Sequence, residues 1–186
     1  MHQSFLSLTS PNFSAFGIII LLSCVLIIAS ITDLRSHRIS NRLTYSTMIF
    51  GLAFYSLTSG LSGFLHSMGG LFLGLALLIA FYLIGGMGAG DVKLMAAVGS
   101  LLGPEGVFAA FLGTALIGGL YALIILAAKG YLVDTLKRFG LMLKTFFMTK
   151  KFIYIPPPKQ EKAPLLCYGV AISLGTLASV AYRMIL

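Results

Sequence analysis

Apolar residues in this chain come in long unbroken blocks, with neither the two-residue alternation of a half-buried strand nor the narrow stripe of a water-facing helix. A membrane-crossing helix needs about 20 mostly apolar residues. Six stretches meet or approach that measure: 14–31, 43–59, 64–84, 92–102, 106–128 and 164–186. The second is diluted by Thr44, Ser46, Thr47 and Ser56. The fourth is short and reaches a full span only if part of the cluster Gly85, Gly86, Gly88 and Gly90 enters the membrane. The pattern therefore predicts an all-α membrane protein of six transmembrane helices, one integral-membrane domain over 1–186 with a cytoplasmic insert at about 129–163. Residues 1–13 lack Lys and Arg, so the first block reads as a retained helix and not as a signal peptide.

Composition agrees with a bilayer as solvent. Of the 186 residues 58% are hydrophobic and 10% charged, against roughly 25% charged in soluble domains; the same figures exclude intrinsic disorder. Two cysteines, Cys24 and Cys167, are too few for a disulfide scaffold or a cysteine-only metal site. The net charge of +8 points to membrane topology and not to nucleic acid. Arg35, Arg38 and Arg42 follow the first block, Lys93 opens the fourth, and Lys129, Lys137, Arg138, Lys144, Lys150, Lys151, Lys159 and Lys162 lie between the fifth and sixth. Only Arg183 falls on the opposite side, so the positive-inside rule turns both termini away from the cytoplasm. Between the fifth and sixth blocks, Leu132, Val133, Leu136, Phe139, Leu143, Phe146 and Phe147 recur at helical steps, with Lys137, Lys144 and Lys151 on another face. That pattern predicts a cytoplasmic amphipathic helix over Tyr131 to Phe152, lying on anionic lipid.

Only five acids occur, and each is informative because a carboxylate at membrane depth is costly. Glu105 falls in a Gly-Pro-Glu-Gly turn, Asp134 on the polar side of the amphipathic segment and Glu161 in a charged linker. Asp33 and Asp91 remain, one where the first span ends and one where the fourth begins, at matching depth. Two carboxylates sharing a site cannot both ionise, so one holds a proton while the other serves as a general base. Such a pair can activate water against a peptide carbonyl; a paired aspartate can equally serve a transporter as a proton relay. His2, His37 and His66 are too scattered for a metal site, and no Ser-His-Asp or Cys-His grouping is evident.

Gly88-Ala89-Gly90-Asp91 is a Gly-x-Gly-Asp motif, resembling the signature of membrane aspartyl proteases that use two separated aspartates. The segment Asp33-Leu34-Arg35-Ser36-His37-Arg38-Ile39-Ser40-Asn41-Arg42-Leu43-Thr44 resembles the first-aspartate segment of type IV prepilin peptidases. Gly88 to Leu94 resembles their second, and Tyr168-Gly169-Val170-Ala171-Ile172 their last-helix signature. The resemblance implies that Asp33 and Asp91 are catalytic and remove the leader of a pilin precursor at the cytoplasmic face of the bacterial inner membrane, without a metal or other cofactor. It implies supporting or substrate-contacting roles for Gly88, Gly90 and Lys93. Glycines there would let an extended substrate approach the main chain, and close helix packing is their simpler role, as expected for Gly70/Gly74 and Gly99/Gly103. Lys93 lies about 200° around a helix from Asp91 and so should not pair with it.

Two departures stand out: Ile39-Ser40-Asn41 where the family has Ile-Pro-Asn, and Cys167-Tyr168 where it has Pro-Tyr. Neither is expected to touch an aspartate, and Ser40 or Asn41 is expected to cap the second helix. Without paired Cys-x-x-Cys motifs the chain resembles the short, peptidase-only members associated with tight-adherence (Flp) pili, and no methyltransferase activity is expected. The expected partners are a prepilin substrate and the lipid bilayer; the oligomeric state is open. A protease of the presenilin or signal-peptide-peptidase type shares Gly-x-Gly-Asp, but the short basic loop after Asp33 argues against it.

Overall fold

The computed structural model describes residues 13–128, 130, 133, 137, 140–142, 145 and 167–185. They form four helices, α1 (Phe13–Ser36), α2 (Asn41–Leu83), α3 (Ala89–Ala128) and α4 (Tyr168–Ile185), with no strand among the described residues. All four are long and apolar enough to cross a membrane. The six apolar blocks are thus distributed over four helices, two of which carry an interruption. α2 contains Gly60 at φ 60° and ψ −141°, and α3 contains Gly103 at φ 70° and ψ −177°. Both backbone positions lie in the left-handed half of φ space, open to glycine and costly to other residues. Pro104 follows Gly103 directly; its ring fixes φ and removes an N–H, which suits the first turn of a new helical stretch.

The chain divides into two compact units, Met1–Gly118 with Cys167–Leu186, and Gly119–Leu166. In the second, the end of α3 is closed by Gly130 at φ 73°, whose N–H donates to the Ala127 carbonyl. Most of Tyr131 to Phe152, where the amphipathic helix is expected, lies outside the described residues.

The first unit is organised around the beginning of α3. From Asp91 to Leu101 every residue except Lys93 is buried, including Leu94, Met95, Val98 and Leu101. The block that looked too short for a span is therefore the packed centre, wrapped by protein where a lipid-facing helix would be exposed. Leu22, Leu26 and Ala29 of α1, Leu78 of α2 and Ile172 of α4 complete the same core. Large apolar side chains such as Ile27, Leu57, Leu65 and Phe72 point outward, an arrangement suited to lipid and hazardous in water.

Small residues set the helix spacing, as the Gly70/Gly74 and Gly99/Gly103 pattern predicts. A methyl group at Gly70 would strike the backbone of Gly99 and Gly103, and one at Gly74 would lie 2.5 Å from the Met95 carbonyl oxygen. Ser67 donates to the Ser100 carbonyl at 2.7 Å across the same interface. Between α1 and α4, Ser173 Oγ lies 3.0 Å from the Leu26 carbonyl oxygen and 2.8 Å from that of Gly169. These buried hydroxyls bond to carbonyls of neighbouring helices while large apolar side chains face out, as membrane packing favours.

Candidate functional site

α1 ends at Ser36 in a left-handed cap. The His37 N–H donates to the Asp33 carbonyl at 2.8 Å, and His37 itself has φ 48°. Glycine normally fills this position; a histidine there carries a backbone cost of roughly 1–2 kcal/mol. The chain then turns through Ile39, which is buried, and enters α2 at Asn41. Ser40 occupies the N-cap position in an extended conformation but makes no side-chain capping bond. Asn41 does not cap either: its Oδ1 accepts from Lys93 Nζ at 2.9 Å. The expected cap is replaced by a tie between α2 and α3.

At its far end α2 closes with a glycine-dependent turn. Gly85 sits at φ 82°, its N–H donating to the Tyr82 carbonyl, while Gly86 N–H donates to that of Phe81, both at 2.9 Å. This double bond pattern stops the helix and redirects the chain. Gly88 directly precedes α3, and Asp91, three residues on, reaches back so that Gly88 N–H donates to its Oδ2 at 3.0 Å. The first N–H groups of a helix have no internal partner, and a carboxylate three residues inside is a natural acceptor for the capping residue's N–H. Gly90 has a packing role: a methyl group there would sit 3.2 Å from Ile39 Cβ. That close approach holds the α1–α2 turn against the start of α3.

Asp33 finds the equivalent bond elsewhere. Its Oδ2 accepts from the N–H of Gly169 at 2.9 Å, an amide in the first turn of α4. A methyl group at Gly169 would lie 2.9 Å from that oxygen and 3.1 Å from Asp33 Cγ, so the carboxylate occupies space that only glycine leaves open. Asp33 and Asp91 are 6% and 7% exposed, and close enough to interact electrostatically. The fold thus buries both predicted aspartates within range of each other's charge. Lys93 stands apart, its ammonium 5.2 Å from the centre of the Tyr45 ring and bonded to Asn41.

Cys167 corrects the expectation that the departures from the family pattern stay clear of the aspartates. Its Sγ lies 4.0 Å from the Asp33 backbone oxygen and 3.4 Å from His37 Nδ1. Burial pushes its thiol above the usual range, and the charges of Asp33 and Asp91 raise it further. Cys167 and Gly169 were missed as site residues because a contact spanning more than 130 residues leaves no local spacing to read. The Tyr168-Gly169 signature was the one signal available.

Helices long and apolar enough to cross a membrane, with two buried carboxylates at their ends, fit an integral-membrane protein. The sequence profile of the type IV leader peptidase family matches residues 20–123, which include both aspartates and the glycine motif. The chain belongs to that family. Similarity extends to the prepilin leader peptidase/N-methyltransferase of Bacillus subtilis (strain 168), 40% identical over 104 residues. The match covers 52% of this chain and 40% of that relative, so the chain spans well under two thirds of its length. No solved structure matches the chain.

Proposed function

We propose that this protein is an aspartyl endopeptidase that removes leader peptides from prepilin-like precursors, with Asp33 and Asp91 as its catalytic pair. The observation that carries the reading is the burial of these two carboxylates within range of each other's charge, each accepting a backbone N–H through a single oxygen. One carboxylate accepts a proton from a water molecule as the water attacks the scissile carbonyl. The other, protonated, donates to the carbonyl oxygen, and proton transfer to the departing amine completes hydrolysis without a covalent intermediate. The pair acts as a unit, so base and acid are roles of the dyad and not of one residue. Gly88 and Gly169 hold the carboxylates, Gly90 allows the approach of the α1–α2 turn, and Lys93 contacts the substrate leader or the lipid headgroups beside it.

A 43-residue helix would extend about 65 Å if straight, twice the hydrocarbon thickness of a bilayer. The breaks at Gly60 and Gly103 therefore serve as turns, and the chain crosses six times. The basic segments put the dyad at the cytoplasmic boundary of the bacterial inner membrane with both termini on the other side. The peptidase works on prepilin within the lipid bilayer.

Co-expression with a tagged prepilin-like precursor tests the proposal, following precursor size for wild type and for Asp33→Ala and Asp91→Ala. Shortening that requires both aspartates is the expected result. A membrane-inserted precursor left intact beside well-expressed wild type would overturn it and transfer the same carboxylates to a proton relay.

A further inference from the structure

Beside the dyad the fold gathers three different metal-binding side chains that the sequence keeps apart. The ligand atoms of Asp33, His37 and Cys167 all lie within 4.8 Å of one another, and Cys167 Sγ is 3.4 Å from His37 Nδ1. Sulfur and nitrogen ligands of a tetrahedral zinc ion, at about 2.3 and 2.1 Å from the metal, stand roughly 3.6 Å apart. An Asp33 carboxylate oxygen completes the group within 4.8 Å of the other two donors, on a side chain whose Oδ2 accepts from Gly169 N–H at 2.9 Å. The backbone supports the grouping: His37 holds a left-handed conformation that glycine would adopt at less cost, and its imidazole borders the buried thiol. His37 is exposed while Asp33 and Cys167 are buried, which leaves a route from solvent to the donors.

The geometry points to a binding site for a thiophilic divalent cation, Zn²⁺ above all, on Asp33, His37 and Cys167, whose occupation switches the peptidase off. A carboxylate oxygen, an imidazole and a thiolate form a mixed donor set suited to zinc, with the fourth position left to water. Binding exchanges the Cys167 S–H proton for the metal and releases that proton to solvent; the His37 proton stays on Nε2. The inhibitory part rests on the function proposed above: an Asp33 carboxylate bound to a dication can neither accept nor hold the proton that the dyad shares. Metal binding itself does not depend on that reading.

The test uses the full chain purified in detergent, stripped of metal with EDTA, and then titrated with Co²⁺ as a spectroscopic stand-in and with Zn²⁺. A thiolate-to-cobalt charge-transfer band at one equivalent is expected in wild type and in Cys24→Ser, absent from Cys167→Ser and at least tenfold weaker in apparent affinity for His37→Gln. Buffered Zn²⁺ should lower prepilin cleavage more than tenfold in wild type, reversibly with chelator, and less than twofold in Cys167→Ser relative to that variant's own metal-free rate. No band in wild type, or an equal band in Cys167→Ser, overturns the site; should Cys167→Ser fail to fold, His37→Gln decides the same question. A Cys167-dependent band with cleavage untouched by Zn²⁺ overturns the switch. Wild type inactive without metal refutes the peptidase reading, and the cobalt band still decides the site.

Discussion

Asp33 and Asp91 are buried to the same degree, and each takes one backbone N–H through its Oδ2, yet the two are held in different ways. Asp91 is held by its own neighbourhood: its partner is Gly88, three residues earlier, in the turn that starts the same helix. Asp33 is held by a helix 136 residues away, and a buried thiol lies beside its backbone. Asp91 therefore keeps its setting as long as α3 forms, whereas the setting of Asp33 exists only when α1 and α4 are docked. A site assembled from one local and one distant half has a distant half that is more easily disturbed and more easily regulated, and this is the half that the proposed cation site adjoins.

The largest effect should come from the carboxylates themselves. Asp33→Asn and Asp91→Asn should each reduce cleavage by about 10²–10⁴-fold, with insertion into the membrane unchanged. A large difference between them in a prepilin gel-shift assay would break the symmetry of the pair.

The next effect separates the two holders. Gly169→Ala pushes a methyl group to 2.9 Å from Asp33 Oδ2, whereas Gly88→Ala would bring one only to 3.4 Å from Asp91 Oδ2. A displacement of about an ångström at a reacting group costs roughly 10²-fold. Gly169→Ala should approach that loss in kcat and Gly88→Ala should lose markedly less. Equal losses would show that the distant half is no more sensitive than the local one.

Packing away from the dyad should act on stability more than on chemistry. Gly70→Ala overlaps the Gly99 backbone and should destabilise the fold by about 1–3 kcal/mol, read as a lowered thermal midpoint in detergent. Lys93→Ala breaks a bond to Asn41 and a cation–π contact with Tyr45. It should reduce cleavage severalfold, mainly through KM, since neither contact involves an aspartate.

The smallest effect reports proximity without any substrate. The charges of Asp33 and Asp91 add to burial in raising the Cys167 thiol, so less of it is thiolate at a given pH than for a free cysteine. Only the thiolate reacts. In EDTA and at fixed, mildly alkaline pH, removing one negative charge by Asp33→Asn or Asp91→Asn should lower the thiol's pKa and speed its alkylation. A rate unchanged in both variants would separate the thiol from the dyad.

Much of this architecture follows from the order of residues alone. Long apolar blocks with few charges require helices in lipid, since only internal hydrogen bonding satisfies the backbone there. The Gly-x-Gly-Asp run carries its own geometry because the bond from Gly88 to Asp91 spans three residues, and the Gly70 and Gly99 neighbourhoods announce close packing through missing side chains. Local spacing could not show that residues 91–101 form the buried centre, because an apolar run looks the same whether lipid or protein surrounds it. Nor could it show that Asn41 binds Lys93 where a helix cap was expected, or that Cys167, His37 and Asp33 share one corner. Those arrangements depend on docking α4 against α1 and the α1–α2 turn against α3, contacts between segments far apart in sequence, so only the tertiary structure decides them.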